Sequence, residues 1–205
     1  MSGERTSAPC DYCADCKDCS GNVLVHIFAD TVAKNMDHED FIRRVLTCVC
    51  CYYGANWCGV IDADLPLGVW TPRYWYDAET GWMADTLFYN NESAAQFEHW
   101  VLALRNEKTV AYETIEDLRE NCPDEYEQYV RLQVKSFMGV PYYQGGNGFV
   151  VVKNLTQRQH DAGALMAAAN VLGSALRDIQ DIEAARLLTK PDQDADENTV
   201  VAKVA

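Results

Sequence analysis

Four cysteines at three-residue spacing, Cys10, Cys13, Cys16 and Cys19, form the densest run of chemically capable side chains in the chain. Thiolates bind zinc and iron–sulfur clusters, and a Cys-x-x-Cys turn presents two of them to one ion. A Cys-x-x-Cys-x-x-Cys run supplies three ligands to a cluster in iron–sulfur proteins, the last ligand coming from elsewhere. Cys48, Cys50 or Cys51 could be that last ligand. The usual second knuckle is missing, and a leader of reduced thiols without metal accounts equally for the spacing.

Three other groups deserve the same question. Trp70, Tyr74, Trp75, Tyr76, Trp82, Phe88 and Trp100 crowd into less than one sixth of the sequence, followed by Tyr112. Such rings can stack on a planar ligand, and they can equally fill a core. The histidines, His26, His38, His99 and His160, stand at spacings that suit no metal site; a haem would need one such residue, and His99 is the one on a helix near the aromatics. The acidic pairs Asp62/Asp64 and Glu113/Glu116/Asp117 read as solvated loops rather than as an acid–base couple.

The elements that must position these residues follow from periodicity. A polar leader, residues 1–21, precedes an apolar helix over Asn22 to Met36. Asp37 caps a second helix carrying Phe41, Ile42, Val45, Cys48, Val49 and Tyr52, which Gly54 ends. Strands are expected at Trp57–Ala63 and Val69–Tyr76, with Pro72 marking an edge or a bulge. Ser93 and Gln96 read as a capping box opening a helix with Phe97, Trp100, Val101 and Leu104. A strand at Thr109–Glu113 and a helix begun by Pro123, with Tyr126, Tyr129, Val130 and Val134, come next. Two strands, Ser136–Tyr143 and Gly148–Lys153, flank a Gly-rich turn. Thr156 and Gln159 then read as a second capping box, opening a long helix striped with Leu165, Leu172 and Leu176. From residue 189 onward the chain reads as an acidic tail or linker.

The order is that of an α+β domain with a largely antiparallel sheet. Its charge narrows the partners. With 31 acidic against 17 basic residues and a formal net charge of −14, its surface repels phosphate backbones and anionic lipid, which excludes nucleic acid and membrane surfaces. No signal peptide and no apolar run long enough for a bilayer is legible, so a cytoplasmic protein with reduced thiols is expected.

Several segments, in this order, resemble the GAF family of bacterial signalling proteins: Tyr-Tyr-Gly-Ala-Asn at 52–56, Asn-Cys-Pro-Asp-Glu-Tyr-Glu-Gln-Tyr at 121–129, Lys-Ser-Phe-Met-Gly-Val-Pro-Tyr-Tyr at 135–143 and Gly-Phe-Val-Val-Val-Lys-Asn at 148–154. The resemblance covers about residues 22–188 and implies one domain with a six-stranded antiparallel sheet. It places N- and C-terminal helices on one face and a small-molecule pocket on the other. It also implies a sensor rather than an enzyme, with a homodimer through the terminal helices and an output domain or signalling partner. The aromatics border the implied pocket, so Trp70, Tyr74, Trp75, Trp82, Phe88, Trp100 and Tyr112 are the expected ligand contacts. The cyclic-nucleotide signature of the family cannot be threaded here, and no Cys precedes a His as in the bilin-attaching members. Two alternatives stand beside the sensor. One is a metal- or redox-responsive device using Cys10, Cys13, Cys16 and Cys19 with zinc or an iron–sulfur cluster. The other is a thiol-dependent methionine sulfoxide reductase using Cys58 and Cys122.

Overall fold

The structure, a computed structural model, describes residues 37–83, 92–143 and 147–189. The cysteine leader, the expected helix at 22–36, Phe88 and the acidic tail from residue 190 lie outside the described residues.

Helix α1 spans His38–Tyr53. Asp37 caps it by accepting the Glu39 N–H at 3.1 Å, and Phe41, Ile42, Val45, Leu46, Val49 and Tyr53 recur at three- and four-residue steps along its buried face. Gly54 closes the helix in the left-handed region at φ 55°. Its carbonyl accepts from Thr156 Oγ1 at 2.9 Å, and a Cβ at this position would stand 2.3 Å from that oxygen. Both the handedness and the close approach therefore require glycine.

Seven strands follow: β1 (Trp57–Asp64), β2 (Val69–Asp77), β3 (Gly81–Trp82), β4 (Glu92–Ser93), β5 (Val110–Tyr112), β6 (Phe137–Tyr142) and β7 (Gly148–Lys153). They form an antiparallel sheet in the order β3-β2-β1-β7-β6-β5, with β4 also pairing β2. The two short strands β3 and β4 are additions to the expected pattern. Every residue of β7 is buried, as a central strand covered on both faces must be. The register slips between Val60 and Ile61, which pair with Tyr74 and Pro72. Arg73 is thus the extra residue of a bulge beside Pro72, a position where a missing N–H costs no ladder bond.

Three more helices complete the domain: α2 (Glu98–Arg105), α3 (Pro123–Arg131) and α4 (Ala162–Thr189). Both expected capping boxes are absent. Ser93 precedes a single 3-10 turn, Ala94–Gln96, without a side-chain cap bond, and α2 starts only after Phe97. Thr156 is committed to Gly54, and Gln159 donates to the Leu155 carbonyl; α4 instead begins behind Asp161, which accepts the Gly163 N–H. Helix α3 does begin at Pro123, behind Cys122.

Two apolar layers sandwich the sheet. On one face α1 and α4 pack Phe41, Val45, Val49, Leu165, Leu172 and Leu176 against Cys58, Val60, Met138, Val140, Val150 and Val152. Tyr53 ties these helices together: its hydroxyl donates to the Asp161 carbonyl at 2.5 Å and accepts the Leu165 N–H at 3.0 Å. The opposite face carries α2 and α3 over Trp57, Ile61, Trp70, Trp75, Phe137, Phe149 and Val151. Among the described residues no helix is long and apolar enough to cross a membrane.

Candidate functional site

The bulge at Arg73 decides which rings meet. Side chains alternate along a strand, so without the extra residue Trp70 would share the face of Tyr74. With it, Tyr74 and Tyr76 pack toward α1 and α4, whereas Trp70 and Trp75 belong to the layer under α2 and α3. There Trp70 meets Trp100 at 6.1 Å between ring centroids and Phe149 at 6.0 Å. Trp100 lies nearly parallel to Phe137 at 5.4 Å and edge-on to Phe149 at 4.8 Å. The backbone makes room for it at Gly139, where a Cβ would stand 3.2 Å from the indole.

Between these rings lies a cavity of about 30 Å³, bordered by Ile61, Trp70, Pro72, Phe97, Trp100 and Tyr129, with Glu92 among its lining residues. That is room for roughly one water. Glu92 is held by Arg131, whose Nη2 lies 2.6 Å from Glu92 Oε2, so an ion pair ties β4 to the end of α3 beside the cavity. One group here is unsatisfied. The Trp70 indole N–H is buried and has no acceptor among the described residues. A wider hollow of about 640 Å³ lies on the far side of α3, lined by Thr114, Ile115, Glu116, Val130, Gln133, Val134 and Lys135.

A line of polar groups runs outward from Trp100. Its Nε1 donates to Tyr129 Oη at 2.5 Å, and Tyr129 donates to Glu125 Oε1 at 2.7 Å. Glu125 Oε2 is 2.6 Å from His99 Nδ1, and His99 Nε2 is 3.6 Å from Cys122 Sγ. Burial and the Glu125 charge hold the Tyr129 hydroxyl well above its ordinary pKa, so it stays a neutral donor. Glu125 is only 4% exposed, a position a carboxylate tolerates because both oxygens are bonded. The expected stripe on α3 shifts accordingly: Val130 faces solvent at 52% exposure, while Glu125 and Tyr129 face inward. Nearby, burial and Glu125 push the Tyr112 phenol up to about 12.

The expected ligand residues thus divide. Trp70 and Trp100 border the cavity, while Trp75 and Tyr112 belong to the same apolar layer without lining it. Tyr74 and Trp82 stack on each other at 6.0 Å on the opposite face, among the terminal helices. Cys58 lies buried in that face too, and its thiol is pushed well up by burial. Cys122 borders the other layer, so the sheet separates the two and they do not form a dithiol. His99 is engaged by Glu125 and Cys122 rather than open to a haem. Arg73 pairs with Asp62 at 3.6 Å. Among the described residues no group of three or more His, Cys, Asp or Glu could hold a metal ion, and the cysteine leader lies outside them. Sequence reasoning missed Glu125, Tyr129 and the meeting of His99 with Cys122. The four-residue step from Glu125 to Tyr129, one helical turn on one face, is the signal that could have found the first two.

No protein-family model matches the sequence, and no curated protein does. Solved structures do. The phycocyanobilin-bound GAF domain of a cyanobacterial phytochrome superposes with a TM-score of 0.59 at 16% identity, over 77% of this chain and 93% of that one. A phycoerythrobilin-bound GAF domain, also from a cyanobacterial phytochrome, gives 0.62 at 14% identity over 80% and 98%. The GAF domain of a phosphoenolpyruvate-protein phosphotransferase from Coxiella burnetii gives 0.52 at 15% identity over 82% and 95%. The fold is GAF-like, an α+β sandwich around an open antiparallel sheet.

Proposed function

We propose that this chain is a regulatory sensor domain that takes a small, ring-bearing, largely apolar molecule at the cavity between Trp70 and Trp100. The observation that carries this reading is the buried Trp70 N–H, left without an acceptor at the wall of an apolar cavity. A buried donor without a partner costs about 1–3 kcal/mol. A ligand with one acceptor among apolar atoms would relieve that cost. Two of the similar structures hold bilins. Here the space of about 30 Å³ favours a smaller guest, which must loosen the Glu92–Arg131 pair or shift Trp100 to enter. Binding then shifts the domain only as far as the guest prefers the opened arrangement.

Quinoline and naphthalene test this directly, since they share a shape and differ in one acceptor nitrogen. At millimolar concentration quinoline is expected to quench tryptophan fluorescence and raise the melting temperature more than naphthalene does. Trp70→Phe should keep the fold and erase the difference. If neither compound shifts the melting temperature, the domain reduces to an interaction scaffold.

The relay runs through the terminal helices to an output domain or partner. Beyond the stripe that packs on the sheet, α4 leaves Ile182, Leu187 and Leu188 exposed. Such a second stripe suits a symmetric helix pair in a homodimer. Light scattering should give a dimer for the intact chain and a monomer after Leu187→Glu with Leu188→Glu. A monomer for the intact chain at high micromolar concentration sinks the pairing.

A further inference from the structure

We propose that Cys122, His99 and Glu125 form a reactive-thiol site that exchanges with small disulfides carrying no negative charge. The three side chains come from two elements, α2 and the start of α3, and stand in the order nucleophile, base, orienting carboxylate. Glu125 Oε2, 2.6 Å from His99 Nδ1, holds the proton on that nitrogen and turns Nε2 toward the sulfur at 3.6 Å. The Tyr129 hydroxyl, bonded to the other Glu125 oxygen, fixes the carboxylate from behind. Access fits as well: Cys122 is half-buried and the His99 side chain is 40% exposed, whereas Cys48, Cys50 and Cys58 are sealed in the other layer or in α1.

The surroundings specify both the mechanism and the partner charge. Partial burial, then Glu125 and Glu98, push the Cys122 thiol up from its ordinary value. The resting group is therefore a thiol, and it needs a base at the moment of attack. His99 Nε2 takes the Sγ proton as the sulfur attacks one sulfur of the disulfide. The incoming S–S bond breaks, a new S–S bond to Cys122 forms, and the departing thiolate takes the proton back from His99. Cys122 ends oxidised in a mixed disulfide and the departing half ends as a reduced thiol, so no further oxidant enters. Glu98, Asp124 and Glu125 flank the sulfur in sequence or in space and the chain as a whole is acidic, so anionic disulfides are repelled and neutral or cationic ones admitted.

The test uses the full chain, with mass spectrometry of the Cys122 peptide as readout and cystamine, hydroxyethyl disulfide and oxidised glutathione as probes. Cystamine should modify Cys122 at least about a hundredfold faster in the folded protein than in the urea-unfolded chain, the lower end of general-base assistance. His99→Gln should remove that advantage while retaining the melting transition. Glu125→Gln should slow the exchange and narrow the preference for cystamine over oxidised glutathione. A folded-state rate no greater than the unfolded one overturns the proposal, even without any variant. So does a His99→Gln protein that reacts like the wild type, or an equal rate for cationic and anionic disulfides.

Discussion

Trp100→Ala is expected to lower stability by about 3–5 kcal/mol, the range for emptying a large aromatic site in a core. The indole is 5% exposed and touches three other rings, Trp70, Phe137 and Phe149. It also fills the space that Gly139 leaves open, and its N–H holds the Tyr129 hydroxyl. Urea denaturation followed by circular dichroism should show a lower midpoint with an unchanged slope. Because the walls that remain are stiff rings, the void should persist and accept a guest. Added indole is therefore expected to recover part of the loss, as small aromatics do in apolar cavities of this kind. A cost below about 1 kcal/mol, or no recovery with indole, would mean that α2 collapses onto the sheet.

The second large effect belongs to the opposite face. Leu172→Ala should cost about 2–5 kcal/mol. Leu172 is fully buried in the layer where α1 and α4 lie on β6, β7 and β1. Helix α4 is otherwise anchored near its start, through Tyr53 and through Tyr52, whose hydroxyl donates to Asp161 at 2.6 Å. A loss at Leu172 thus falls between that anchor and the contact of His38 Nε2 with Asp178 Oδ2 at 3.4 Å, on a stretch of the helix held by packing. Thermal melting measures the change, and a neutral result would mean that the stripe does not bear on the sheet.

Much of this architecture could be read in the sequence because it is written in short periods. The steps Phe41–Val45–Val49 and Leu165–Leu172–Leu176 place both helices on the same face, and the runs at 137–142 and 148–153 are apolar enough to be strands. The site was legible only in part. Trp70 and Trp100 could be picked by type, but Tyr74 and Trp82 could not be told from them. The face of a strand residue depends on every pairing before it, and one extra residue at Arg73 reverses the parity. The two capping boxes misled for a related reason. Both have the right neighbours in sequence, but Thr156 is taken by Gly54, and Ser93 lies in β4, paired with Val69, before a single 3-10 turn without a side-chain cap bond. The meeting of His99 with Cys122 leaves no local trace, because it depends on how α2 is laid beside α3.

The length of α4 has a consequence of its own. Its 28 residues form one continuous helix, which packs against α1 and the sheet as far as Ile179 and carries exposed residues beyond it. Each residue turns a helix by about 100° and advances it by about 1.5 Å. The far end of α4 is therefore a dial as well as a rod: anything joined to it rigidly inherits an angle fixed by residue count. Seven residues inserted after Ile182 would nearly restore the original angle, while two would send the attached surface to the opposite side. A surface carried there would then be in or out of phase with the domain according to that count, whether or not the insert changes a single contact in the core.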